Sequence, residues 1–244
     1  MADIELDHLG QRGDRRDAVV GQPVPGVEVG IGVDGGSTLN PAAVLAQRDH
    51  EGQWRVLAEF VPGKGTGATR FATHLRDYIT EHLKGFRFYG FGDPAAFGGN
   101  DKEHGEQSWI ETIEAILGIT FEPAPTNAEQ TRIDAVKQAL DRRVAGNRAG
   151  LVVDRTRCPT LKKGFDAGYQ YRLTKVAGKE TPENHPAKTG PAGAYSHPHD
   201  ALQYLVLGRE GLHAVTARAG GGVGASSAHQ MEAAPMRDWS PLDI

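Results

Sequence analysis

The stretch VEVGIGVDGGST, from Val27 to Thr38, decides the fold of this chain. Its apolar side chains occupy every second position, the period of a β-strand with one apolar face; they are Val27, Val29, Ile31 and Val33. Asp34 ends the strand on the opposite face, and Gly35 and Gly36 follow directly. A carboxylate at the end of a buried strand is costly unless a metal ion or a hydrogen-bond network holds it. The glycines leave room for a large group, such as a phosphate, to approach the backbone.

Two later stretches place an acid in a comparable position. FRFYGFGD is a predicted strand that ends at Asp93, and SHPHDALQYL belongs to a predicted helix around Asp200. A helical pattern separates the first two acids, so the strand of Asp93 is expected to run parallel to the first strand. We therefore predict a mixed sheet that brings Asp34, Asp93 and Asp200 together.

The segments around these acids complete an α/β pattern. PAAVLAQRD and WRVLAEFV, joined by the turn HEGQ, predict an antiparallel three-strand meander with the first strand. Helices are predicted at ATRFATHLRDYITEHLKG, WIETIEAILG and NAEQTRIDAVKQALDRRVAG, and short strands at ITFEPAPT and LVVD. Thr126 or Asn127 is the predicted cap of the third helix. SHPHDALQYLVLGREGLHAV is predicted to form one helix, with Ser196 as its cap.

Length and composition indicate one domain with tails. The chain has 244 residues and 39% hydrophobic residues, enough for a substantial core. We predict a flexible N-terminal tail over residues 1–25, the domain over 26–216 and a flexible Gly/Ala-rich tail over 217–244. The apolar runs are too short to span a bilayer and no signal peptide is visible, so a soluble, non-secreted protein is expected. The single cysteine, Cys158, excludes an internal disulfide and is interpreted as a packing residue.

The net charge of −4 does not by itself indicate a nucleic-acid partner, but its distribution is uneven. Residues 141–188 contain eleven Lys or Arg and five Asp or Glu, a net +6, which leaves −10 for the rest. This basic third is either a phosphate-binding face or a solvated surface loop. PGKGTGATR lacks the GxxxxGK[ST] spacing of a Walker loop, because Lys64 is followed by Gly65.

The order of these elements resembles the ribonuclease H-like fold, in which a mixed sheet of a meander plus parallel strands is flanked by helices. More narrowly, SHPHDALQYL is similar to the closing motif of the nuclease domain of phage terminase large subunits. GVDGG and FGD resemble the stretches that carry the other two metal-binding acids of that family. The resemblance extends from about Val27 to Leu212.

The resemblance implies a metal centre made of Asp34, Asp93 and Asp200. Three adjacent carboxylates repel one another, and two Mg²⁺ or Mn²⁺ ions would relieve that repulsion while activating a water for phosphodiester hydrolysis. Asp34 and Asp200 would share one ion, and Asp34 and Asp93 the other. His197 would orient a water or phosphate, or act as a proton shuttle.

The function implied is a metal-dependent endonuclease that cuts concatemeric viral double-stranded DNA during genome packaging in the host cell cytoplasm. Implied partners are a terminase ATPase domain, the small terminase subunit and the portal protein, with no membrane. The ATPase half is not recognised in this sequence, so the chain is expected to cut DNA without translocating it. Basic residues would hold the DNA backbone without reading sequence: Arg142, Arg143, Arg155, Arg157, Lys162, Lys163, Lys175, Lys179 and Lys188.

Other interpretations stay open at this point. GVDGGST also resembles the phosphate-binding hairpin of sugar kinases and ATPases of the actin-like superfamily, although no second such hairpin is visible. A Holliday-junction resolvase or transposase would share the fold and the metal chemistry, and a DNA-clamping module with an inactive site is a third alternative. Asp34 alone could be a turn residue, and Asp200 alone a helix N-terminal acid. No role is assigned to the nearby acids Asp101, Glu103 and Asp166.

Overall fold

The structure is a computed structural model, which describes residues 22–35, 40–98, 107–176, 179–186 and 193–220. Its strands are β1 Val29–Asp34, β2 Ala42–Arg48, β3 Trp54–Phe60, β4 Phe88–Gly92, β5 Phe121–Pro123, β6 Arg143–Val144, β7 Arg148–Ala149, β8 Leu151–Val153, β9 Tyr171–Val176 and β10 Lys179–Pro186. Its α-helices are α1 Ala68–His82, α2 Trp109–Leu117, α3 Glu129–Asp141, α4 Pro159–Lys163, α5 Ser196–Glu210 and α6 Leu212–Gly220.

A six-stranded mixed sheet in the order β5-β4-β1-β2-β3-β8 forms the centre of the fold. The first three strands make the predicted antiparallel meander. Strand β4 pairs parallel to β1, as the strand–helix–strand pattern predicts, and β5 pairs parallel to β4. This architecture confirms the predicted α/β class and is consistent with a ribonuclease H-like fold. The position of β8 beside β3, parallel to it, was not predicted.

Helices cover both faces of the sheet. On one face, α1 and α2 bury Phe71, Leu75, Ile110 and Ile113 against the apolar side chains of β1. On the other face, α3, α4 and α5 pack against Val44, Ala46, Trp54 and Val56. Both faces of the sheet are buried at β2, which explains why this strand is apolar at most positions instead of alternating between apolar and polar residues.

The glycines of β1 allow α5 to lie directly on the strand. A Cβ at Gly32 would lie 2.1 Å from the Ala201 carbonyl oxygen, and a Cβ at Gly30 would lie 2.7 Å from Leu205 Cδ1. The second face of β1 is therefore buried against the helix backbone instead of facing solvent. Since side chains alternate along a strand, Asp34 shares this face with the two glycines. Helix α5 is buried along most of its circumference from Ser196 to Leu207.

Some local predictions were wrong. Helix α3 begins at Glu129, with Ala128 as its N-cap and no side-chain cap. The side chain of Asn127 instead forms hydrogen bonds with Asp93 and Tyr204. Ser196 does not cap α5, because its hydroxyl donates to the Gly193 carbonyl and Tyr195 occupies the cap position. The predicted long last helix is divided at Gly211, whose φ of 83° ends α5 before α6 begins.

The predicted domain boundaries remain predictions. Val24, placed in the predicted tail, exchanges two hydrogen bonds with the buried side chain of Gln47. Helix α6 continues to Gly220, beyond the predicted limit at residue 216. Residues 1–21 and 221–244, with Asp101, Glu103 and Lys188, lie outside the described residues. Within the described ranges, no helix has the length and apolar character needed to cross a membrane.

Candidate active site

Asp34 lies at the end of β1 and faces the first turn of α5. Asp34 is only 6% exposed, because α5 covers the glycine face of the strand. Its Oδ2 lies 2.8 Å from Nδ1 of His197, so the histidine and the carboxylate form a close pair across 163 residues of sequence. Beside it, the backbone at Gly35 packs against the indole of Trp109, which a Cβ there would approach to 2.3 Å.

Asp93 follows β4 at the same edge of the sheet. Val33 and Gly92 are paired in the parallel ladder, so Asp34 and Asp93 each follow a residue of one matched pair. The Oδ1 of Asp93 accepts from the backbone N–H of Ala95 at 2.9 Å and caps the short 3₁₀ turn Pro94–Phe97. The same oxygen accepts from Nδ2 of Asn127 at 3.0 Å. Asp93 is partly exposed and is fixed by both contacts.

Asp200, on the second turn of α5, is paired with a buried arginine. Nη1 of Arg132 lies 3.1 Å from Oδ1 of Asp200, and the two side chains are 4% and 5% exposed. The same Nη1 donates to Oε1 of Gln203 at 2.9 Å. Burial lowers the pKa of the Arg132 guanidinium, but Asp200, together with Tyr204 and Tyr169, raises it, so the net pKa is raised and the charge is retained.

Tyr204, one turn further along α5, connects these groups. Its hydroxyl donates to Oδ1 of Asn127 at 2.8 Å, and the Arg132 guanidinium lies 4.5 Å from the centre of its ring. Burial raises the pKa of the hydroxyl, and the guanidinium opposes that shift. Three carboxylates raise the same pKa further, those of Asp93, Asp34 and Asp200. Tyr204 is therefore linked to Asp93 through Asn127 and to Asp200 through Arg132.

The donor chemistry suits a hard divalent cation, but the acids are not gathered into a metal cage. Carboxylate oxygens are the ligands that Mg²⁺ and Mn²⁺ prefer. Yet among the described residues, no group of three or more His, Cys, Asp or Glu side chains is close enough to hold a metal ion. Asp34 and Asp93 fit the role of ligands at one sheet edge. Asp200 fits it chemically, but a guanidinium lies against its Oδ1.

A π-helical turn packs against His199, the residue that precedes Asp200 on α5. Helix α4 continues into a π-helical turn, Gly164–Gly168, in which Ala167 has a φ of 147°. The ring of His199 stacks on Tyr169 with centroids 4.5 Å apart and meets Phe165 edge to face. Burial lowers the pKa of His199 to about 4, so the imidazole is neutral at pH 7. Tyr169 also accepts from Gln203 at 3.1 Å, which links the turn to the Arg132 network.

The predicted DNA-binding residues have different environments. Arg142 uses its guanidinium for contacts within the protein, because it pairs with Glu210 at 3.0 Å and donates to the Gly52 carbonyl. Lys162 pairs with Asp166, an acid to which no role was assigned. The side chains of four others are exposed: Arg143, Arg155, Arg157 and Lys163. Lys175 and Lys179 lie on β9 and β10, which pair as an antiparallel hairpin.

Three site residues were missed by the sequence analysis, namely Arg132, Asn127 and Tyr169. A signal for Arg132 was present: it shares the apolar stripe of α3 with Val136 and Ala139, at spacings of four and seven. A charged residue on a buried stripe requires a partner of opposite charge. Asn127 was assigned to a helix cap, a role for which asparagine is also common.

Comparisons with known proteins bear on the fold. No family model and no curated protein matches the chain. A solved large terminase from a thermophilic bacteriophage matches with a TM-score of 0.51 and 17% identity, over 76% of this chain and 41% of the terminase. The fold is terminase-like. The same terminase in complex with ADP matches with a TM-score of 0.50 and 16% identity, over 75% of this chain and 40% of the terminase. This chain thus spans about two fifths of the terminase it matches, and at such identities the likeness concerns the fold.

Proposed function

We propose that this protein is a metal-dependent endonuclease that cuts double-stranded viral DNA during genome packaging. The arrangement that carries the proposal has Asp34 and Asp93 directly after a matched pair of parallel strand residues, with Asp200 on the same helix as His197, which contacts Asp34. The terminase-like fold supports a packaging context. Two carboxylates at the ends of adjacent parallel strands, beside a helix that carries a third, are suited to phosphodiester chemistry assisted by cations.

The proposed cofactors are two divalent cations, Mg²⁺ or Mn²⁺, held by these three acids. When bound, the cations supply positive charge that activates a water and stabilises the leaving oxygen. Asp34 is the central ligand, because it lies between Asp93 on the neighbouring strand and the start of α5. In this proposal His197, whose Nδ1 contacts the Asp34 carboxylate, orients that carboxylate and would lie beside the reacting phosphate.

Residues away from the acids would hold the DNA. The exposed side chains of Arg143, Arg155, Arg157 and Lys163 can neutralise backbone phosphates without reading bases. Lys175, Lys179 and Lys188 are proposed to contribute in the same way from the hairpin region. The proposed protein partners are a terminase ATPase domain, the small terminase subunit and the portal protein.

The first experiment is nicking and linearisation of supercoiled plasmid in Mn²⁺, Mg²⁺ or EDTA, with ATP hydrolysis measured in parallel over a panel of sugars. Cleavage that requires metal, without ATP turnover, is the expected result. ATP or sugar turnover with intact plasmid would replace the nuclease by the kinase alternative. Four-way junctions as a third substrate separate the packaging nuclease from a resolvase, which would cut junctions in preference to linear duplex.

A further inference from the structure

Glu210, the last residue of α5, is a buried carboxylate that three arginines contact. Its side chain is 5% exposed, and its Oε1 accepts from Nε of Arg48 and from Nη2 of Arg142, each at 3.0 Å. Nε1 of Trp54 donates to the same oxygen at 3.1 Å, and Nη1 of Arg218 lies 3.4 Å from Oε2. Burial raises the pKa of Glu210, but hydrogen bonds from Trp54 and Arg142 and the arginine charges lower it below its ordinary value. The carboxylate is therefore ionised at pH 7.

The three arginines, called here the arginine cluster, carry more charge than Glu210 balances. Three guanidinium groups and one carboxylate have a net charge of +2. Arg48 contributes only its Nε, and among the described residues its two Nη nitrogens have no hydrogen-bond partner. Its side chain is 34% exposed, and that of Arg218 is 52% exposed. Because the guanidinium fork matches the geometry of a phosphate, the cluster can accept an anion from outside the chain.

Gly52 leaves open the space beside two of these guanidinium groups. It lies in the turn that joins β2 to β3, with a φ of 85° that glycine adopts without strain. A Cβ at this position would lie 3.6 Å from Nη2 of Arg48 and 3.7 Å from Nη1 of Arg142. The two nitrogens therefore approach the same point next to the turn. Nη1 of Arg142 also donates to the Gly52 carbonyl at 3.3 Å, which holds the turn against the cluster.

The acids near the cluster do not cancel its charge. Oδ1 of Asp49 accepts from two backbone N–H groups of the same turn, and the carboxylate of Glu51 pairs with Arg148. At the end of α3, Asp141 and Arg143 are both exposed and have opposite charges. The excess positive charge of the cluster is therefore available to an anion.

The cluster lies at the opposite end of the sheet from the predicted catalytic acids. In the ladder between β1 and β2, Asp34 pairs with Ala42 at one end, and Arg48 is the last residue of β2 at the other. The seven residues of β2, at about 3.3 Å each, separate these ends by about 20 Å. Phosphates of one DNA strand are spaced about 3.4 Å apart along the duplex axis, so this distance corresponds to about six base pairs.

We propose that the arginine cluster, made of Arg48, Arg142 and Arg218, binds a backbone phosphate of double-stranded DNA. Glu210 holds the three guanidinium groups in place, and the anion lies on their exposed side next to Gly52. The choice of ligand rests on the proposed function, because a nuclease that cuts duplex DNA needs phosphate contacts away from the point of cleavage. The contact itself requires no metal ion.

Binding of a short DNA duplex in EDTA, measured over a series of salt concentrations, tests the proposal without cleavage. Arg48→Gln is expected to weaken binding whatever the DNA sequence and to reduce the slope of log affinity against log salt by about 1. Arg218→Gln is expected to act in the same direction. Arg76→Gln is the matched control, because Arg76 lies on α1, pairs with Asp77 and has a side chain that is 50% exposed. Its slope should equal that of the wild type.

A second pair of variants remains decisive if Arg48→Gln does not fold. Gly52→Asp places a carboxylate beside the guanidinium groups without removing either of them, and Gly52→Asn is its uncharged counterpart. Both residues tolerate a positive φ better than most others. Gly52→Asp should lower the DNA affinity and the salt slope more than Gly52→Asn does. Equal affinities of the two variants at every salt concentration would overturn the site.

Inorganic phosphate and plasmid cleavage separate the remaining outcomes. If inorganic phosphate shifts the NMR signal of labelled Arg48 and the duplex does not, the cluster takes a small phosphate and the DNA contact is overturned. Duplex binding that depends on the cluster, in a protein that cuts no plasmid with any metal, supports the contact and overturns the proposed nuclease. Plasmid cleavage with unchanged duplex binding in Arg48→Gln and Gly52→Asp supports the nuclease and overturns the contact.

Discussion

His197 and Asp34 are in direct contact, with Nδ1 and Oδ2 2.8 Å apart, although one begins a late helix and the other ends the first strand. The contact joins α5 to β1 at the edge where Asp93 also lies. The two side chains are 19% and 9% exposed, so the pair is screened from water without being fully enclosed. Carboxylates that bind metal ions in proteins are themselves commonly hydrogen-bonded by a neighbouring group, as Asp34 is by His197.

Replacing His197 should therefore weaken the function of Asp34 more than the stability of the fold. In His197→Ala we expect the cleavage rate or the Mn²⁺ affinity to fall by roughly 10- to 100-fold, the range for groups that orient a metal ligand. Plasmid cleavage and Mn²⁺ titration measure the two quantities. Wild-type values of both in a folded variant would show that the contact has no part in the chemistry.

Asp34→Asn should abolish metal-dependent cleavage while leaving the protein folded. The amide keeps the shape of the side chain but removes the charge that the cations require. The matched control is Asp77→Asn, since Asp77 lies on α1 with its side chain 65% exposed. Circular dichroism of both variants should overlay the wild type. Cleavage by Asp34→Asn at the wild-type rate would refute the site assignment.

Asp200→Asn should be much less stable than Asp34→Asn. It leaves the Arg132 charge buried without a counter-charge, and breaking a buried pair on one side costs about 3–5 kcal/mol of unfolding free energy. Urea denaturation measures the loss. The double variant Arg132→Met with Asp200→Leu should recover part of it, because no buried charge remains. If Asp200→Asn and Asp34→Asn are equally stable, the pair contributes little to the fold.

Gly32→Ala should destabilise the domain by displacing α5 from β1. The new methyl group would lie 2.1 Å from the Ala201 carbonyl oxygen and 2.8 Å from Leu205 Cβ. Overpacking of this kind typically costs about 1–3 kcal/mol, and backbone that cannot yield increases the cost. Gly63→Ala is the control, because a Cβ there meets nothing within 4 Å. Equal urea midpoints for the two variants would contradict the close contact between strand and helix.

The buried His199 predicts a specific dependence of stability on pH. Its pKa is lowered from 6.5 to about 4 in the folded protein, so the unfolded chain binds the proton more readily between these values. The stabilisation is fully present above pH 6.5 and is lost as the pH falls towards 4. Between pH 7 and pH 5 the loss from this group is about 2 kcal/mol. His199→Asn does not titrate and should show a correspondingly smaller change in urea denaturation over the same interval.

Local patterns in the sequence predicted the framework of the fold. The alternation in β1, the turn HEGQ and the helical spacing of α1 are short-range signals, and they suffice to place four of the six strands. The parallel pairing of β4 with β1 then follows from the helical connection that precedes β4. Strand β8 has only three residues, and no local rule assigns such a strand to the far edge beside β3.

The surroundings of the acids could not be predicted in the same way. Arg132 and Asp200 are 68 residues apart, and their contact depends on how α3 crosses α5, which periodicity does not determine. Asn127 bonds to both Asp93 and Tyr204, and α3 begins one or two residues later than its predicted cap suggested. The sequence indicated which carboxylates matter, whereas tertiary packing determines the partners that hold them.

Helix α5 carries the central packing residues Leu202 and Leu205 as well as His197 and Asp200. A random substitution on this helix therefore changes folding and chemistry together, and laboratory evolution that starts there would first select repairs of stability. Asp93 offers the opposite situation, because its partners are the Ala95 backbone and a single amide, and its side chain is partly exposed. Attempts to retune metal preference or substrate range are best begun around Asp93, where the domain can tolerate variation.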